Sequence, residues 1–474
     1  MTLELSGLRC TVLGLGVHGG GLAAAQFLHA RGARVTVTDL RSEKELATSL
    51  AGLPSGVRTV IGRHEDEDAR SADLLVKNPA VPRSVPMVAQ APFVTTDIAL
   101  FLAEWMGHEQ VPPGPLVAIT GTKGKSSTSA AAAHLLAAGF PGTRLGGNIT
   151  VSPLGFAQEL DPGDPVVLEL SSFQLGDLAF CRARPQQREK PAALSVLPDR
   201  ILKPTVPARV AAITSIFRDH QDYYDSMESY VEDKREIYRH LAPEGIAVFH
   251  AADTWGASFV TEAVSRYGEE RVVDIALRSD PLADLDLRVP GTHSRRNLHM
   301  AAVAARHLGL DETRLRAAAA DFGGVAHRLE LVLDEGGIRA VNDSAATIPE
   351  AALAAVQALE APVILIAGGS DKGLDPGPLV SAVGAVEAGG GTAILLAGSA
   401  TPALAAGCAR AGYSPAGPYR SLEEAVRHAL RLAGELGSPL RPATVLLSPG
   451  CASFGMFRNE FDRGDQFRRL LRTR

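Results

Sequence analysis

Cysteine is scarce in this sequence. Four thiols, Cys10, Cys181, Cys408 and Cys451, are scattered over 474 residues. Their spacing matches neither a zinc finger nor a dense disulfide framework, so a reducing compartment is expected. Basic charge is also lacking: 47 Lys and Arg stand against 53 Asp and Glu, a net charge of -6. That balance argues against a nucleic-acid partner, which needs a basic face. No apolar run is long enough to span a bilayer, and the start MTLELSGLRC has no basic-then-apolar leader. A cytoplasmic protein without membrane contact, acting as a monomer, is expected. No internal repeat is visible.

What is present is apolar bulk and regular punctuation. A hydrophobic content of 46% supplies several cores, and the length suggests two to four domains. Short apolar strands such as CTVLGLG, LVAIT, PVILIAGG and TVLLSPG alternate with helical stretches such as SLEEAVRHALRLAGEL, which predicts parallel sheets covered on both faces. The Pro/Gly stretch GHEQVPPGPL closes a first domain near residue 111, and a third begins around DFGGVAHRLE. The expected organisation is α/β in three domains: 1–111 Rossmann-like, 112–322 of P-loop type, and 323–474 Rossmann-like.

Two glycine turns carry chemistry. Gly14-Leu15-Gly16-Val17-His18-Gly19 follows an apolar strand and precedes a helix, and Asp39 ends the next strand, RVTVTD. This is a nucleotide fingerprint, with Asp39 placed to meet ribose hydroxyls, or else a merely structural turn. The second is TGTKGKSS. A strict Walker A loop needs glycine where Ile119 stands, so the loop is shorter: Gly121, Thr122, Lys123, Gly124, Lys125, Ser126 and Ser127. Its parts still suit a phosphate: backbone N–H groups at a helix start, a lysine charge, and hydroxyls for Mg²⁺. A strand-turn-helix with solvated lysines is the plainer alternative.

The short loop resembles that of the Mur ligases, the ATP-dependent amino-acid-adding enzymes of peptidoglycan synthesis, although folylpolyglutamate synthases share it. Further blocks in the same order favour the branch that extends UDP-N-acetylmuramoyl-L-alanine with D-glutamate: GGNI from 146, LELSSFQL from 168, RDHQDYY from 218, HRLE from 327, NDSAAT from 342 and LLSPGCASFGMFRNEFDRGDQF from 446. The resemblance implies ATP and Mg²⁺, with an acyl phosphate attacked by the incoming amine. By resemblance Lys125 and Ser126 hold ATP phosphates and metal, Glu169 and His220 ligate Mg²⁺, and Lys234 is carbamoylated, which makes it a metal-facing anion. Asn297, Arg328 and Asp343 would hold the nucleotide. Val17, His18, Asp39, Arg41, Asn78 and Asn148 would line the UDP-substrate path, and Thr347, Lys372 and Ser453 would receive the glutamate carboxylates.

Without the resemblance, His220 reads as a surface or cap residue. Lys234, beside Glu232 and Asp233, reads as a helix-surface lysine. Three positions depart from the family pattern: Ala345 replaces a usual lysine, Ile348 an asparagine, and Glu460 an aromatic residue unless Phe461 takes its place. The segment 181–210 is longer and more basic than usual, and reads as a surface loop or an inserted contact element. A related ligase with L-glutamate or another acceptor, and a non-catalytic nucleotide-binding protein, are the alternatives. Closure of the domains is expected in the cycle, because residues assigned to one reaction come from all three.

Overall fold

The computed structural model describes residues 3–17, 19–107, 113–148, 151–184, 199–220, 223–252, 255–289, 291–360, 362–371 and 373–472. His18, Lys372 and residues 185–198 of the basic segment 181–210 therefore lie outside the described residues. The chain falls into two compact units. The first comprises Met1–Asp284 with Asn297–Ala319, and the second Leu285–Arg296 with Ala320–Arg474.

The first unit holds two parallel sheets. One joins β1 (Arg9–Leu13), β2 (Arg34–Asp39), β3 (Arg58–Ile61), β4 (Leu74–Lys77) and β5 (Val94–Thr96) in the order β3-β2-β1-β4-β5. The other joins β6 (Leu116–Thr120), β7 (Arg144–Gly147), β8 (Val166–Glu169), β9 (Val210–Ile213), β10 (Ile246–Phe249) and β11 (Val272–Asp274) in the order β11-β10-β9-β6-β8-β7. Both have a point where successive crossovers go opposite ways, at β1 and at β6. Such a point opens a crevice beyond the strands' carboxyl ends, the usual ligand position in this architecture. The helix Asp97–Trp105 is buried on every side, and its Phe101 ring packs edge-on against Phe156 at 5.8 Å. A helix apolar all round has to be enclosed, which is why the two sheets share one continuous core.

The second unit is one sheet of β12 (Glu330–Glu335), β13 (Ile338–Asn342), β14 (Val363–Ala367), β15 (Thr392–Leu396), β16 (Ala416–Tyr419) and β17 (Ala443–Leu447), ordered β12-β13-β17-β14-β15-β16. Apolar clusters cover both of its faces. Here the expectation of purely parallel pairing is corrected, because β12 runs antiparallel to β13. The reason is local: Gly336 and Gly337, at φ +62° and +80°, form the two-residue turn that reverses a strand directly. Among the described residues no helix is long and apolar enough to cross a membrane.

Candidate active site

At the β6 crevice the chain leaves Thr120 through Gly121–Gly124 and enters the helix Lys125–Ala137. Gly124 has φ +87°, and a Cβ there would stand 2.8 Å from Asn297 Oδ1, so only glycine lets the loop pass under this buried amide. The loop is held from β9: Thr214 Oγ1 and Ser215 Oγ donate to Lys123 O at 2.6 and 3.0 Å. Thr122 Oγ1 lies 2.8 Å from the Tyr230 hydroxyl, and Thr122 N donates to Ser215 O. Ser126 is buried and Ser127 partly so, on the first turn of the helix.

Two lysines meet on one carbonyl. Lys125 Nζ and Lys234 Nζ each donate to Gly121 O at 2.9 Å, and Lys125 also reaches Thr122 O at 3.0 Å. The surface reading of Lys234 is thereby corrected. It is 1% exposed and lies 4.6 Å from the centre of the Tyr230 ring. Burial, and next the Lys125 ammonium, hold its amine well below the usual lysine range.

Glu169 ends β8, buried. Its Oε1 accepts from Asn148 Nδ2 at 3.1 Å, while Oε2 has no hydrogen-bond partner among the described groups. A buried carboxylate oxygen left open in this way suits a divalent cation. Among the described residues no three His, Cys, Asp or Glu side chains gather tightly enough to hold a metal alone. Any cation here would therefore need hydroxyl, phosphate or water oxygens too. His220 takes φ +53° and leaves its side chain 43% exposed, its ring 4.8 Å from that of Phe173.

The β1 crevice is a cavity of about 390 Å³ lined by Gly16, Val17, Asp39, Arg41, His64 and Asn78, among others. Asp39 does not point a free carboxylate at a ribose: Oδ2 accepts from Gly16 N and Oδ1 from Arg41 N, both at 2.9 Å. It shapes the glycine turn instead. Asn78 Nδ2 donates to Gly14 O at 3.2 Å, closing the same turn from β4. Val17 and Leu40, 48% and 65% exposed, present apolar side chains at this cavity, as a flat base requires. Asn148 is not among its lining residues and belongs with Glu169.

In the second unit the carboxyl ends of β13 and β17 gather Asp343, Ser448 and the HRLE segment. Asp343 Oδ2 accepts from Ser448 Oγ at 2.6 Å and Oδ1 from Leu329 N at 3.1 Å. Burial raises its carboxyl to about 6. Arg328 is exposed beside it, and its charge pulls the other way. Thr347 lines a small cleft of about 60 Å³ with Ser370, Asp371 and Cys451. Ser453 is buried nearby in sequence but outside that lining. Arg463, fully buried, donates to Ser344 Oγ and O at 2.9 Å and to Cys451 O at 3.3 Å, tying the NDSAAT turn to the segment after β17. Of the departures, Ala345 is half-buried, Ile348 is exposed just before the helix Pro349–Gln357, and Phe461 rather than Glu460 packs its ring on His327 at 5.6 Å.

Leu40, His64, Thr214, Ser215, Tyr230, Ser448 and Arg463 were not legible as site residues. Ser448 and Arg463 lie inside the quoted SPGCAS block, which is the signal that would have found them. The others sit in segments with no unusual pattern.

Known proteins are similar to this chain over nearly its whole length. Residues 8–99 match the Mur ligase MurD-like, N-terminal domain, and residues 196–305 the Mur ligase middle domain. The UDP-N-acetylmuramoylalanine–D-glutamate ligase of Roseiflexus sp. (strain RS-1) is 38% identical, the match covering 99% of this chain and 100% of that protein. The enzyme of the same name from Treponema pallidum (strain Nichols) is 35% identical over 99% and 98%. Among solved structures, MurF from Acinetobacter baumannii superposes with a TM-score of 0.54 at 15% identity, covering 98% of this chain and 93% of that one. The UDP-N-acetylmuramate–alanine ligase MurC of Thermotoga maritima gives 0.52 at 16%, covering 98% and 99%. At those identities the structures speak for the fold alone.

Proposed function

The chain belongs to the Mur ligase family, and from that premise we propose that it joins D-glutamate to UDP-N-acetylmuramoyl-L-alanine at the expense of ATP, in peptidoglycan synthesis. The observation that carries the reading is the meeting of Lys125 and Lys234 on Gly121 O beside the open Glu169 oxygen. A phosphate loop alone would need only one lysine.

The reaction has two steps. The substrate carboxylate attacks the γ-phosphorus of ATP, giving an acyl phosphate and ADP. The glutamate amine then attacks the acyl carbon, and the tetrahedral intermediate expels phosphate. Charge gathers on non-bridging oxygens in both, so positioned positive groups and N–H donors lower both barriers. In this reading the N–H groups at the start of the helix Lys125–Ala137 receive the phosphates, and Lys125 leaves the loop carbonyls to meet them. Glu169 and Ser126 hold Mg²⁺ with help from His220; bound there, the ion would neutralise phosphate charge. Asn297, Arg328 and Asp343 serve the nucleotide. The β1 cavity takes the UDP end, with Arg41 as its cation and Val17 and Leu40 against the base.

Lys234 fits carbamoylation. Burial and the Lys125 ammonium disfavour its charged form, the neutral amine is the form that adds CO2, and the resulting carbamate would pair with the Lys125 ammonium. Thr347 and Ser453, with Lys372, are assigned to the acceptor. Residues 1–111, 112–322 and 323–474 would then divide UDP binding, ATP chemistry and acceptor binding. The reading includes a monomer, working in the cytoplasm where ATP and UDP-linked precursors are made.

Phosphate release from ATP with UDP-N-acetylmuramoyl-L-alanine and Mg²⁺ tests the reading, with D- and L-glutamate offered separately and products identified by mass and chirality. Release with D-glutamate only, with amide formed, is expected. Preference for L-glutamate would move the acceptor assignment to Ala345, Ile348 and Glu460, and no release with either would overturn the ligase reading.

A further inference from the structure

The loop lining the β1 cavity and the helix bearing Lys234 are joined by a closed set of charges. Arg83 follows the cavity residues Ala80, Val81 and Pro82. Its Nε donates to Asp177 Oδ1 at 2.9 Å, and its NH2 donates to Asp233 Oδ2 at 2.6 Å. Asp177 lies on the helix Ser172–Ala183, which starts three residues after Glu169, and Asp233 precedes Lys234. Lys77 Nζ takes the other Asp177 oxygen at 2.5 Å, and the Tyr224 hydroxyl donates to Asp233 Oδ2 at 2.9 Å. The side chains of Lys77 and Asp177 have no exposure at all, and that of Arg83 is 25% exposed.

The packing is built around this guanidinium. A Cβ on Gly176 would stand 1.8 Å from Arg83 NH2 and 2.1 Å from Asp233 Oδ2, so the glycine leaves the hole through which the pair meets. Two cations and two carboxylates meet here, with the buried Asp97 carboxyl close enough to interact with Lys77 and Asp177, and both oxygens of Asp177 are used. A simple staple between sheets would need one such pair. Here one planar group is gripped at two points, by the helix behind Glu169 and by the helix of Lys234, whose amine in turn holds Gly121 O.

We infer that Arg83 is a positioning residue for the ligase reaction: by clamping Asp177 and Asp233 it transmits occupancy of the β1 cavity to the helix Met227–Arg235 and so to Lys234 and the phosphate loop. The inference rests on the proposed reading of that cavity as the UDP site. It gives the cavity a second task, readying the phosphate loop when the UDP-linked substrate is bound. The coupling runs through contiguous side chains with defined partners, and a change in the helix produced by UDP alone would be its physical warrant.

UDP is the probe, and the full chain is used. Hydrogen exchange of Met227–Arg235 is followed with and without UDP, in the wild type and in Arg83→Lys, which keeps the charge and loses the two-point fork. UDP is expected to slow exchange of this helix in the wild type and to leave it unchanged in R83K. The kcat of R83K is expected to fall about tenfold to a hundredfold, the scale of a misplaced catalytic group. UDP binding to the wild type with exchange of the helix unaltered overturns the relay alone, as does a wild-type kcat in R83K. Failure of UDP to bind the wild type overturns the cavity reading and the relay together. Should R83K not fold, Tyr224→Phe carries the test: it removes the hydroxyl that Asp233 and Ser172 share and is expected to lower kcat several-fold, and an unchanged kcat overturns the inference.

Discussion

Lys125 holds loop carbonyls that are themselves part of a well-bonded turn, so its removal touches chemistry more than folding. Lys125→Ala is expected to lower phosphate release by about two to three orders of magnitude, as for loss of one donor to a developing oxyanion. Stability to urea should change by less than about 1 kcal/mol. Asp343 behaves in the opposite way. Its folded carboxyl titrates near 6 against 3.8 in the unfolded chain, because burial penalises the anion. Between those values the folded state binds more protons, so stability falls as pH rises through about 4 to 6 and levels off above. Asp343→Asn should abolish that fall and make the protein more stable at pH 7 to 8, by at most about 3 kcal/mol, while weakening ATP binding. Urea titrations from pH 4 to 8 check it. A pH slope that survives the substitution would assign the titration to another group. Of these residues Lys125 was legible in the sequence from its loop. Lys234 was legible only through resemblance, because what buries it, the Tyr230 ring and a carbonyl 113 positions away, leaves no trace in the charged run VEDKRE.

Elements were more legible than residues. The strands β1, β2, β6, β14 and β17 coincide to within three residues with CTVLGLG, RVTVTD, LVAIT, PVILIAGG and TVLLSPG, and SLEEAVRHALRLAGEL forms the helix Leu422–Leu436, capped by Ser421. Buried parallel strands are continuous apolar runs, which is the strongest signal such folds carry. The antiparallel β12 was missed although Gly336-Gly337 marks its turn, because that strand is only half-buried and reads as neither core nor alternation. Strand order was not legible at all, since neighbours in a sheet are chosen by crossovers that leave no local pattern. Yet strand order brings together the turns that carry Gly16, Lys125 and Asp343, at the carboxyl ends of β1, β6 and β13. Glycine conformation decides what the β6 turn can do. Gly124→Ala would force a left-handed residue, at a cost of about 1 to 2 kcal/mol, and push its Cβ onto Asn297. The expected result is a fall in kcat/KM for ATP of at least about tenfold with KM for the UDP substrate unchanged. Equal loss for both substrates would mean that the substitution had disturbed the unit as a whole.

For the whole molecule, the division that matters is between cores. The first unit buries a large apolar cluster that spans its two sheets and a smaller one around Leu13 and Val88, and the second buries separate clusters on the two faces of its own sheet. A ligand that binds only the folded form stabilises the body that holds its site, by about 2.7 kcal/mol at a hundredfold excess over Kd. The β1 cavity is made wholly by the first unit, and Asp343 with Ser448 and Leu329 wholly by the second. Calorimetry should therefore resolve two transitions that answer to different perturbations. UDP is expected to raise the transition of the first unit by several degrees and leave the other in place. Asp343→Asn at pH 8 is expected to raise only the second. If either perturbation moves both transitions together, the two cores unfold as one cooperative body, and the substitutions proposed for one unit would have to be read against the stability of the whole chain.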